Sequence, residues 1–484
     1  MLNADKFRQE AHRLVDWMAD YLRDIEQYPV KSRLAPGDIK ALLPLLPPNE
    51  GEDFAQIFQD FETHILPGIT HWQHPGFMGY FPANSSFPSV LAEMLTATLG
   101  AQCMIWETSP AAAELEERMM DWLKVMQGLP SEWAGVIQDT ASTATLCALL
   151  TAREKISNYQ INQKGLSQDR FRVYASEQTH SSIEKAVRIA GLGSDNLVKI
   201  PTDAHFAMIP EALEAALMTD KDAGWAPLCV VATLGTTSST AIDPLPAIGQ
   251  ICAAFQVFLH VDAAYAGTAA LLPEKRAEIL AGIELADTYL FNPHKWMFTN
   301  FDCTAYFVKD PQALRRTFEI LPEYLKTDRD REVNNYRDWG IPLGRRFRAL
   351  KLWFVIRDFG MEGLQARLRQ HLALAQDFAE KLRAHPDFEI LAPVNLNLVC
   401  FCWRPRASSL CQEAHNDINR QLLAALNASG QVYLTHTVLR GQYTLRAVFG
   451  NTYVSEKHVE MLWALLLAKI QALAPLATEA SPSA

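Results

Sequence analysis

Two residues with complementary chemistry follow apolar runs: Lys295 in LFNPHKWMF and Asp262 in FLHVDAAYAG. They are 33 residues apart (295 − 262), a length that suits one strand–helix–strand crossover and brings both strand ends to the same edge of a sheet. A lone lysine beside aromatic residues is usually a surface residue whose aliphatic stem covers apolar neighbours. A lysine and an acid on adjacent strand ends can instead form a buried ion pair, which is costly and needs a reason.

Other polar residues also stand where strands are predicted to end. Thr140, Ala141 and Ser142, in VIQDTASTATL, lead from a strand into a helix. Hydroxyl and backbone N–H groups at a helix start suit a phosphate monoester, although an ordinary N-cap has the same sequence. Thr237 in TLGTTSS follows another strand, and His180 in YASEQTHSS follows a third. Taken singly, each of these residues is more often structural than functional.

Taken together, a lysine, an acid, a phosphate cradle and an imidazole match what pyridoxal 5′-phosphate requires. The lysine forms an imine with the aldehyde of this cofactor. The acid pairs with the pyridine nitrogen and keeps it protonated, because an opposite charge favours the charged form. The protonated ring can then accept the electron pair left when a substrate bond breaks. The residues therefore predict a pyridoxal-phosphate enzyme.

The elements that must position these residues are short apolar runs alternating with helical patterns. Their apolar content is nearly continuous, as expected where helices cover both faces of a sheet. The pattern predicts an α/β fold with a largely parallel central sheet flanked by helices. The predicted strands are AGVIQ, RVYAS, LVKI, CVVATLG, VFLHVDAAY, TYLFN and TAYFVK.

Helical patterns and composition shifts divide the rest of the chain. An amphipathic helix is predicted over residues 5–26, and a second helix has Ser109 as N-cap, Pro110 at its first position and a stop at Gly128. The helical pattern RRFRALKLWFVIRDFG leads into the C-terminal region. The predicted domains are a helical, dimerisation segment (1–84), a large cofactor-binding domain (85–370), a small α+β domain (371–475) and a flexible tail (476–484).

Composition excludes several classes of partner. The chain has 484 residues and a formal charge of −11 with no basic block, which argues against nucleic acid or an anionic membrane as a partner. The eight cysteines contain no C-x-x-C pair and indicate buried thiols in a reducing cytoplasm. The polar start lacks the apolar core of a signal peptide. We therefore expect a cytoplasmic protein without a bound metal.

The ordered motifs HWQHPGFMGYFPANSS, ATLGTT, HVDAAYAG, NPHKW and GRRFR resemble those of group II pyridoxal-phosphate decarboxylases, specifically aromatic-L-amino-acid decarboxylases. The resemblance covers roughly residues 5 to 470. It implies the fold-type I, aspartate aminotransferase-like architecture and a homodimer with active sites at the subunit interface. The implied reaction is decarboxylation of tryptophan, tyrosine, dopa or phenylalanine to the aryl amine and CO₂.

The resemblance also implies roles for individual residues. Lys295 carries the Schiff base, Asp262 holds the pyridine nitrogen, and His180 stacks over the ring. Tyr324 in LPEYLK matches the tyrosine of the family's mobile loop, the proposed proton donor after decarboxylation. The remaining cofactor-binding residues implied are Thr140, Ala141, Ser142, Thr237, Ala264, Asn292 and His294. The family has Ser-Ala-Ser where this chain has Thr-Ala-Ser, a change that keeps the hydroxyl.

The residues implied to contact the substrate side chain are Trp72, Tyr80, Phe81, Pro82, Gln102, Met104 and Gly344. Without the resemblance, the early aromatic residues could equally be a core cluster. Gln102 and Met104 are implied to come from the partner subunit, and both differ from the apolar and aromatic residues common in animal enzymes. Gly344 stands where a glycine accompanies indole-sized substrates in plant enzymes, which favours tryptophan alongside tyrosine and dopa.

Three alternatives remain at this stage. An aromatic aldehyde synthase would use the same cofactor for oxidative deamination, but Tyr324 and His180 are both present and favour plain decarboxylation. A decarboxylase of glutamate or another non-aromatic amino acid is disfavoured, because the early pocket motif is aromatic rather than cationic. A cofactor-bound scaffold without turnover is disfavoured by the intact set of catalytic residues.

Overall fold

A computed structural model describes residues 3–167, 170–320, 329, 332–406 and 410–478 of the chain. Contacts between residues divide the chain into two compact units. The smaller takes in the described residues of Met1–Pro82, Glu380–Glu389 and Phe401–Ala484, and the larger those of Ala83–Ala379 and Ile390–Cys400. The helices of the described ranges include none long and apolar enough to cross a membrane.

The larger unit contains a seven-stranded sheet whose strands match all seven predicted runs. These strands are β1 (Ala134–Gln138), β2 (Phe171–Ser176), β3 (Leu197–Ile200), β4 (Ala226–Thr233), β5 (Phe258–Asp262), β6 (Thr288–Phe291) and β7 (Thr304–Val308). Their order across the sheet is β1-β7-β6-β5-β4-β2-β3. β2 to β6 pair in parallel, which confirms the predicted fold class.

The one feature of this sheet that local patterns did not predict is the place of β7. It lies between β1 and β6 and is antiparallel to both, with Gln138 of β1 opposite Thr304. Because β7 runs the other way, its first residue lies at the same edge as the ends of β1 and β6. Thr304 therefore lies at the edge of the sheet where the cofactor site was predicted.

Helices precede, separate and follow the strands. They are α1 (Ala4–Arg23), α2 (Asp38–Leu42), α3 (Phe54–Asp60), α4 (Phe87–Leu99), α5 (Pro110–Gln127), α6 (Ala141–Ile156), α7 (Ile161–Lys164), α8 (Ser181–Ile189), α9 (Pro210–Asp222), α10 (Leu245–Phe255), α11 (Pro273–Leu280), α12 (Pro293–Trp296), α13 (Pro311–Phe318), α14 (Arg348–Ala384), α15 (Gln412–Ala428) and α16 (Glu456–Thr478). As predicted, α5 follows Ser109 and ends at Gly128 in the left-handed conformation. Within α14, Gly360 has φ 61° and ψ 174°, so two helices meet there.

The core of the larger unit lies where helices cover the continuous apolar strands. All five residues of β7 are buried, and Val173 and Val231 of neighbouring strands are fully buried in a cluster that also includes Leu149 of α6. Because both faces of the sheet are covered, its strands can be apolar at every position.

The smaller unit contains α1 and the C-terminal elements. Four strands, β8 (Phe388–Ile390), β9 (Leu398–Trp403), β10 (Thr435–Leu439) and β11 (Gln442–Val448), form a second sheet in the order β10-β11-β9-β8. The amphipathic α1 is confirmed, yet none of its residues is fully buried, and Phe7 is 70% exposed. The described part of this chain therefore leaves much of the apolar face of α1 uncovered.

A buried ion pair links α5 to the segment before α14. Arg345 Nη2 lies 2.6 Å from Glu116 Oε1, and both side chains are buried. The same Glu116 oxygen accepts the Ile137 N–H at 2.9 Å, while Arg345 donates to Ile137 O at 2.7 Å. The pair therefore holds the end of strand β1, which precedes the predicted phosphate cradle, in place.

Glu116→Ala should lower the free energy of unfolding by about 3–5 kcal/mol, because it leaves a guanidinium buried without its counter-charge. Glu274→Ala is the control, since Glu274 forms an exposed pair with Arg369 at 2.7 Å and should cost less than about 1 kcal/mol. Urea unfolding of both variants measures the difference. Equal losses in the two variants would contradict this interpretation of the buried pair.

Candidate active site

The ends of five strands bring the predicted residues to one edge of the sheet. β1 runs parallel to β6, because both are antiparallel to β7, and so the carboxyl ends of β1, β2, β4, β5 and β6 share an edge. The residues at or after these ends are Thr140 after β1, His180 after β2, Thr237 after β4, Asp262 at the end of β5 and Lys295 after β6. The fold therefore gathers residues that are far apart in sequence.

Lys295, Asp262 and His180 are close enough to affect one another electrostatically. Desolvation lowers the pKa of Lys295 below its ordinary value, and the negative charge of Asp262 partly opposes this effect. Desolvation also lowers the pKa of His180, with Asp262 raising it and Lys295 lowering it. A lowered pKa increases the fraction of Lys295 present as the neutral amine, which is the nucleophilic form.

The carboxyl group of Asp262 lies at the end of β5, where a backbone N–H holds it. Its side chain is buried, with 4% exposed, and its Oδ1 accepts the Ala264 N–H at 2.9 Å. A buried carboxylate is stable when it has a cationic or hydrogen-bonding partner. A protonated pyridine nitrogen would be such a partner, and the predicted neighbour Ala264 is already in contact with the acid.

His180 is fixed by the start of α8. Its Nδ1 accepts the Ser182 N–H at 3.2 Å and lies 2.8 Å from Ser182 Oγ. Because a backbone N–H can only donate, Nδ1 is an acceptor and the neutral ring carries its proton on Nε2. The contacts with Ser182 fix the orientation of the ring, as stacking on a flat ligand would require.

The predicted phosphate cradle lies at the start of α6. Thr140 is the N-cap, and its hydroxyl accepts the Thr143 N–H at 3.4 Å. Ala141 and Ser142 are the first two residues of this helix. The N–H groups of a first helical turn lack partners within the helix and point toward an anion. Phosphate binding by these three residues stays a prediction.

Thr304 joins the ends of β1 and β6. Its hydroxyl donates to Asn292 Oδ1 at 2.8 Å and lies 3.3 Å from Asp139 O. Because Asn292 Oδ1 accepts this hydrogen bond, the Nδ2 group of Asn292 is the part of the amide that can donate to a ligand. Sequence reasoning missed Thr304, because its place depends on β7 being inserted between two strands that precede it in the chain.

His294 is a neutral hydrogen-bond donor at the same edge. The Cys303 N–H donates to its Nδ1 at 2.9 Å, which leaves the proton on Nε2. Burial, assisted by the charge of Lys295, lowers the pKa of His294 to about 3. A neutral imidazole with Nε2–H can donate to a phosphate oxygen without adding a positive charge.

The predicted substrate contacts Gln102, Met104 and Gly344 form a cluster within the larger unit. Arg345 N–H donates to Gln102 Oε1 at 2.7 Å, and Arg337 N–H donates to Met104 O at 2.9 Å. A Cβ at Gly344 would lie 3.2 Å from Gln102 Nε2. The three residues are therefore neighbours, and their contact with substrate stays a prediction.

The other predicted contacts lie elsewhere. Trp72, Tyr80, Phe81 and Pro82 belong to the smaller unit, in which the rings of Trp72 and Tyr80 stack at 5.9 Å between centroids. Tyr324 falls outside the residues that the structure describes. Contact of these residues with the substrate also stays a prediction.

Comparison with known proteins gives matches over nearly the whole chain. The family model of the pyridoxal-dependent decarboxylase conserved domain matches residues 36–404. The chain is 44% identical over 477 residues to aromatic-L-amino-acid decarboxylase of Sus scrofa, covering 96% of each chain. It is 42% identical over 475 residues to phenylacetaldehyde synthase of Arabidopsis thaliana, again covering 96% of each. The crystal structure of Oryza sativa TDC with PLP and tryptamine has a TM-score of 0.95 at 37% identity, covering 98% of this chain and 99% of that one.

The residues at the sheet edge fit pyridoxal phosphate. They combine a lysine of lowered pKa, a buried acid for the ring nitrogen and an imidazole held by Ser182. Thr140, the start of α6, Asn292 and His294 supply neutral donors suited to a phosphate. Within the described ranges, no group of three or more histidine, cysteine or acidic side chains could hold a metal ion.

A fully buried histidine behind the site gives a pH-dependent prediction. His260 Nδ1 lies 2.8 Å from Thr288 Oγ1, its Nε2 lies 3.1 Å from Thr145 Oγ1, and burial lowers its pKa from 6.5 to about 4. Between these values the unfolded chain binds more protons, so this residue stabilises the fold less as the pH falls.

His260→Asn lowers the free energy of unfolding, and this loss should be smaller at pH 5.5 than at pH 7.5. The difference should be at most about 1.4 kcal/mol per pH unit. Urea unfolding of the parent and variant at both pH values measures the change. Comparing the two proteins cancels the titration of other groups. A cost that stays constant or grows at pH 5.5 would contradict the buried neutral state of His260.

Proposed function

The chain belongs to the pyridoxal-dependent decarboxylase family, and on that premise we propose that it decarboxylates aromatic L-amino acids to aryl amines and CO₂. The candidate substrates are tryptophan, tyrosine, dopa and phenylalanine. The observation that carries the proposal is the juxtaposition of Lys295, Asp262 and His180 at one sheet edge, in a chain similar throughout to enzymes named for this reaction.

The residues of the chain have distinct tasks in this reaction. When bound, pyridoxal phosphate supplies an electron sink for the pair released as CO₂ leaves. Lys295 Nζ would hold the aldehyde of the cofactor, and its lowered pKa increases the fraction of the amine that is neutral and nucleophilic. The Asp262 carboxylate keeps the ring nitrogen protonated, because its charge favours the cation. His180 orients the ring by stacking and covers one face from water.

Phosphate binding and the final proton transfer involve other residues. The residues that would hold the phosphate are Thr140, Ala141, Ser142, Asn292 and His294, with Thr237 nearby. Tyr324 is proposed to return the proton to the substrate carbon. Each tenfold change in rate corresponds to about 1.4 kcal/mol of barrier, so loss of the charge of Asp262 can reduce the rate by orders of magnitude without unfolding the protein.

The purified protein with added cofactor should release tryptamine, tyramine, dopamine or phenethylamine from at least one of the four amino acids. Lys295→Ala should abolish product, and Asp262→Asn should reduce kcat by about a hundredfold or more, equivalent to about 2.7 kcal/mol. Chromatography of the amines measures both effects. Turnover of glutamate or histidine with none of the aromatic substrates would refute the assignment.

Aldehyde synthesis is the second candidate function, favoured by the 42% identity to phenylacetaldehyde synthase of Arabidopsis thaliana. The presence of Tyr324 and His180 supports plain decarboxylation. Measuring amine against aldehyde plus hydrogen peroxide in the same reaction distinguishes the two, since oxidative deamination consumes oxygen and releases ammonia.

We also propose that the enzyme is a homodimer, because α4 carries an apolar stripe that is largely exposed to solvent. Phe87, Leu91, Leu95 and Leu99 recur every four residues, and their exposed fractions are 61%, 53%, 46% and 62%. Residues at this spacing share one helix face, and contiguous exposed apolar patches mark protein interfaces. The proposed occupant is a second copy of the chain.

Leu91→Glu combined with Leu95→Glu should convert the dimer to monomers, because association would bury two charges without partners. Sedimentation velocity measures the mass. Met218→Glu is the control, since Met218 on α9 is an isolated exposed apolar residue and its substitution should leave the mass unchanged. A double variant that sediments as a dimer would exclude α4 as the interface.

The proposed location is the cytoplasm. All eight cysteines are free thiols, and seven of them are buried. Free buried thiols are typical of proteins that fold in a reducing compartment.

A further inference from the structure

The segment before and at the start of α4 contacts the backbone of the loop that carries Lys295. Three side chains of this segment meet three successive parts of the loop. The contacts are Asn84 Nδ2 to Lys295 O at 2.8 Å, Ser86 Oγ to Phe298 O at 2.8 Å, and Asn300 N–H to Ser89 Oγ at 2.7 Å. We call Asn84, Ser86 and Ser89 the loop clamp.

The loop clamp is buried and its hydrogen bonds are shielded from water. Asn84 is 1% exposed, Ser86 2% and Ser89 0%. The atom of Asn84 that faces Lys295 O must be the amide nitrogen, because a carbonyl oxygen only accepts. Each bond therefore satisfies a buried polar group that would otherwise have lost its hydration.

The side chain of Ser86 does not cap the helix that it precedes. It is the N-cap of α4, yet its side chain makes no capping hydrogen bond. An N-cap serine normally accepts a backbone N–H of its own helix. The hydroxyl of Ser86 donates instead to the carbonyl oxygen of Phe298, so this side chain stabilises the loop and not the start of α4.

The loop needs such support because its own structure is weak. The helix α12, which contains Lys295, has only four residues, too few for its last carbonyl groups to find partners within the helix. Phe298 has a φ of 54°, a left-handed conformation that is unfavourable for a bulky side chain. Contacts from outside the loop must therefore hold this backbone.

Residues on other elements hold the side chains of the same loop. Trp296 Nε1 donates to His371 Nδ1 at 2.9 Å, and the Trp296 ring stacks on Tyr265 at 5.1 Å between centroids. The Cys303 N–H donates to His294. These contacts fix the residues on either side of Lys295, whereas Asn84 contacts the backbone of Lys295 itself.

We propose that Asn84, Ser86 and Ser89 are positioning residues, which fix the backbone of Lys295 so that its amine meets the cofactor at the required distance. This inference rests on the proposed role of Lys295. The clamp residues act through the loop and do not touch the reacting atoms. Small displacements of a reacting group are costly, because covalent attachment requires aligned atoms about 3–3.5 Å apart.

Asn84→Ala should weaken cofactor affinity by about tenfold to a hundredfold, because the carbonyl of Lys295 loses its buried donor. Asn84→Leu keeps a branched side chain of similar volume but no donor, and it should weaken affinity to the same extent. If Asn84 only filled space, Asn84→Leu would retain normal affinity, which would overturn the proposal for this residue.

The measurement is absorbance titration of the cofactor-free enzyme with pyridoxal phosphate, together with borohydride trapping and peptide mapping of Lys295. Hydrogen exchange at the amide of Asn300 reports the clamp directly and should speed up in Ser89→Ala. Ser86→Ala should weaken affinity, and Ser86→Thr, which keeps the hydroxyl, should restore it. Ser89→Ala removes a single oxygen and provides a test if an Asn84 variant fails to fold.

Thr317→Ala is the matched control, because the buried Thr317 hydroxyl donates to a backbone carbonyl, Ala313 O, at 2.8 Å on α13. It should leave affinity and loop exchange unchanged. Unchanged cofactor affinity in both Asn84→Ala and Ser86→Ala would refute the proposal. Failure to trap any cofactor on Lys295 of the parent enzyme would instead refute the proposed function, so the two failures are distinguishable.

Discussion

The arrangement of the whole site depends on setting the amine of Lys295 in a desolvated position beside an acidic side chain. Desolvation lowers the pKa of Lys295, while Asp262 raises it, so the balance depends on how deeply the loop of Lys295 is set into the sheet edge. A parallel sheet supplies this environment, since its strand ends converge on a place that helices shield on both faces. Lys295, Asp262 and His180 can therefore come together although they are far apart in the sequence.

The proposed phosphate-binding end of the site is arranged around the same lysine. Its proposed donors are the start of α6, the Thr140 hydroxyl, the Asn292 amide and His294, whose pKa burial lowers to about 3 so that the neutral ring is favoured. Neutral donors bind an anion without adding a cation beside the lysine. The charge of Asp262 therefore remains the main influence that opposes the desolvation of Lys295.

Helix α4 shows how one element can serve two purposes. One face presents an apolar stripe to the exterior, and the residues at its start hold the backbone around Lys295. A helix that is anchored on one face and apolar on the other can connect assembly with the geometry of the site. The uncovered apolar face of α1 has the same physical origin, because apolar residues at helical spacing require a surface to cover them.

The sequence by itself determined the seven strands, the caps of α5, and the positions of Lys295, Asp262, His180 and Thr140 at strand ends, because apolar runs and capping residues are local signals. Only the tertiary structure decided that β7 lies antiparallel between β1 and β6, which brings Thr304 to Asn292, and that Asn84 meets Lys295 across 211 residues. Such pairings depend on which distant surfaces pack together. Local periodicity contains no information about that choice, because it indicates which faces of a strand are buried and not which strand lies beside it.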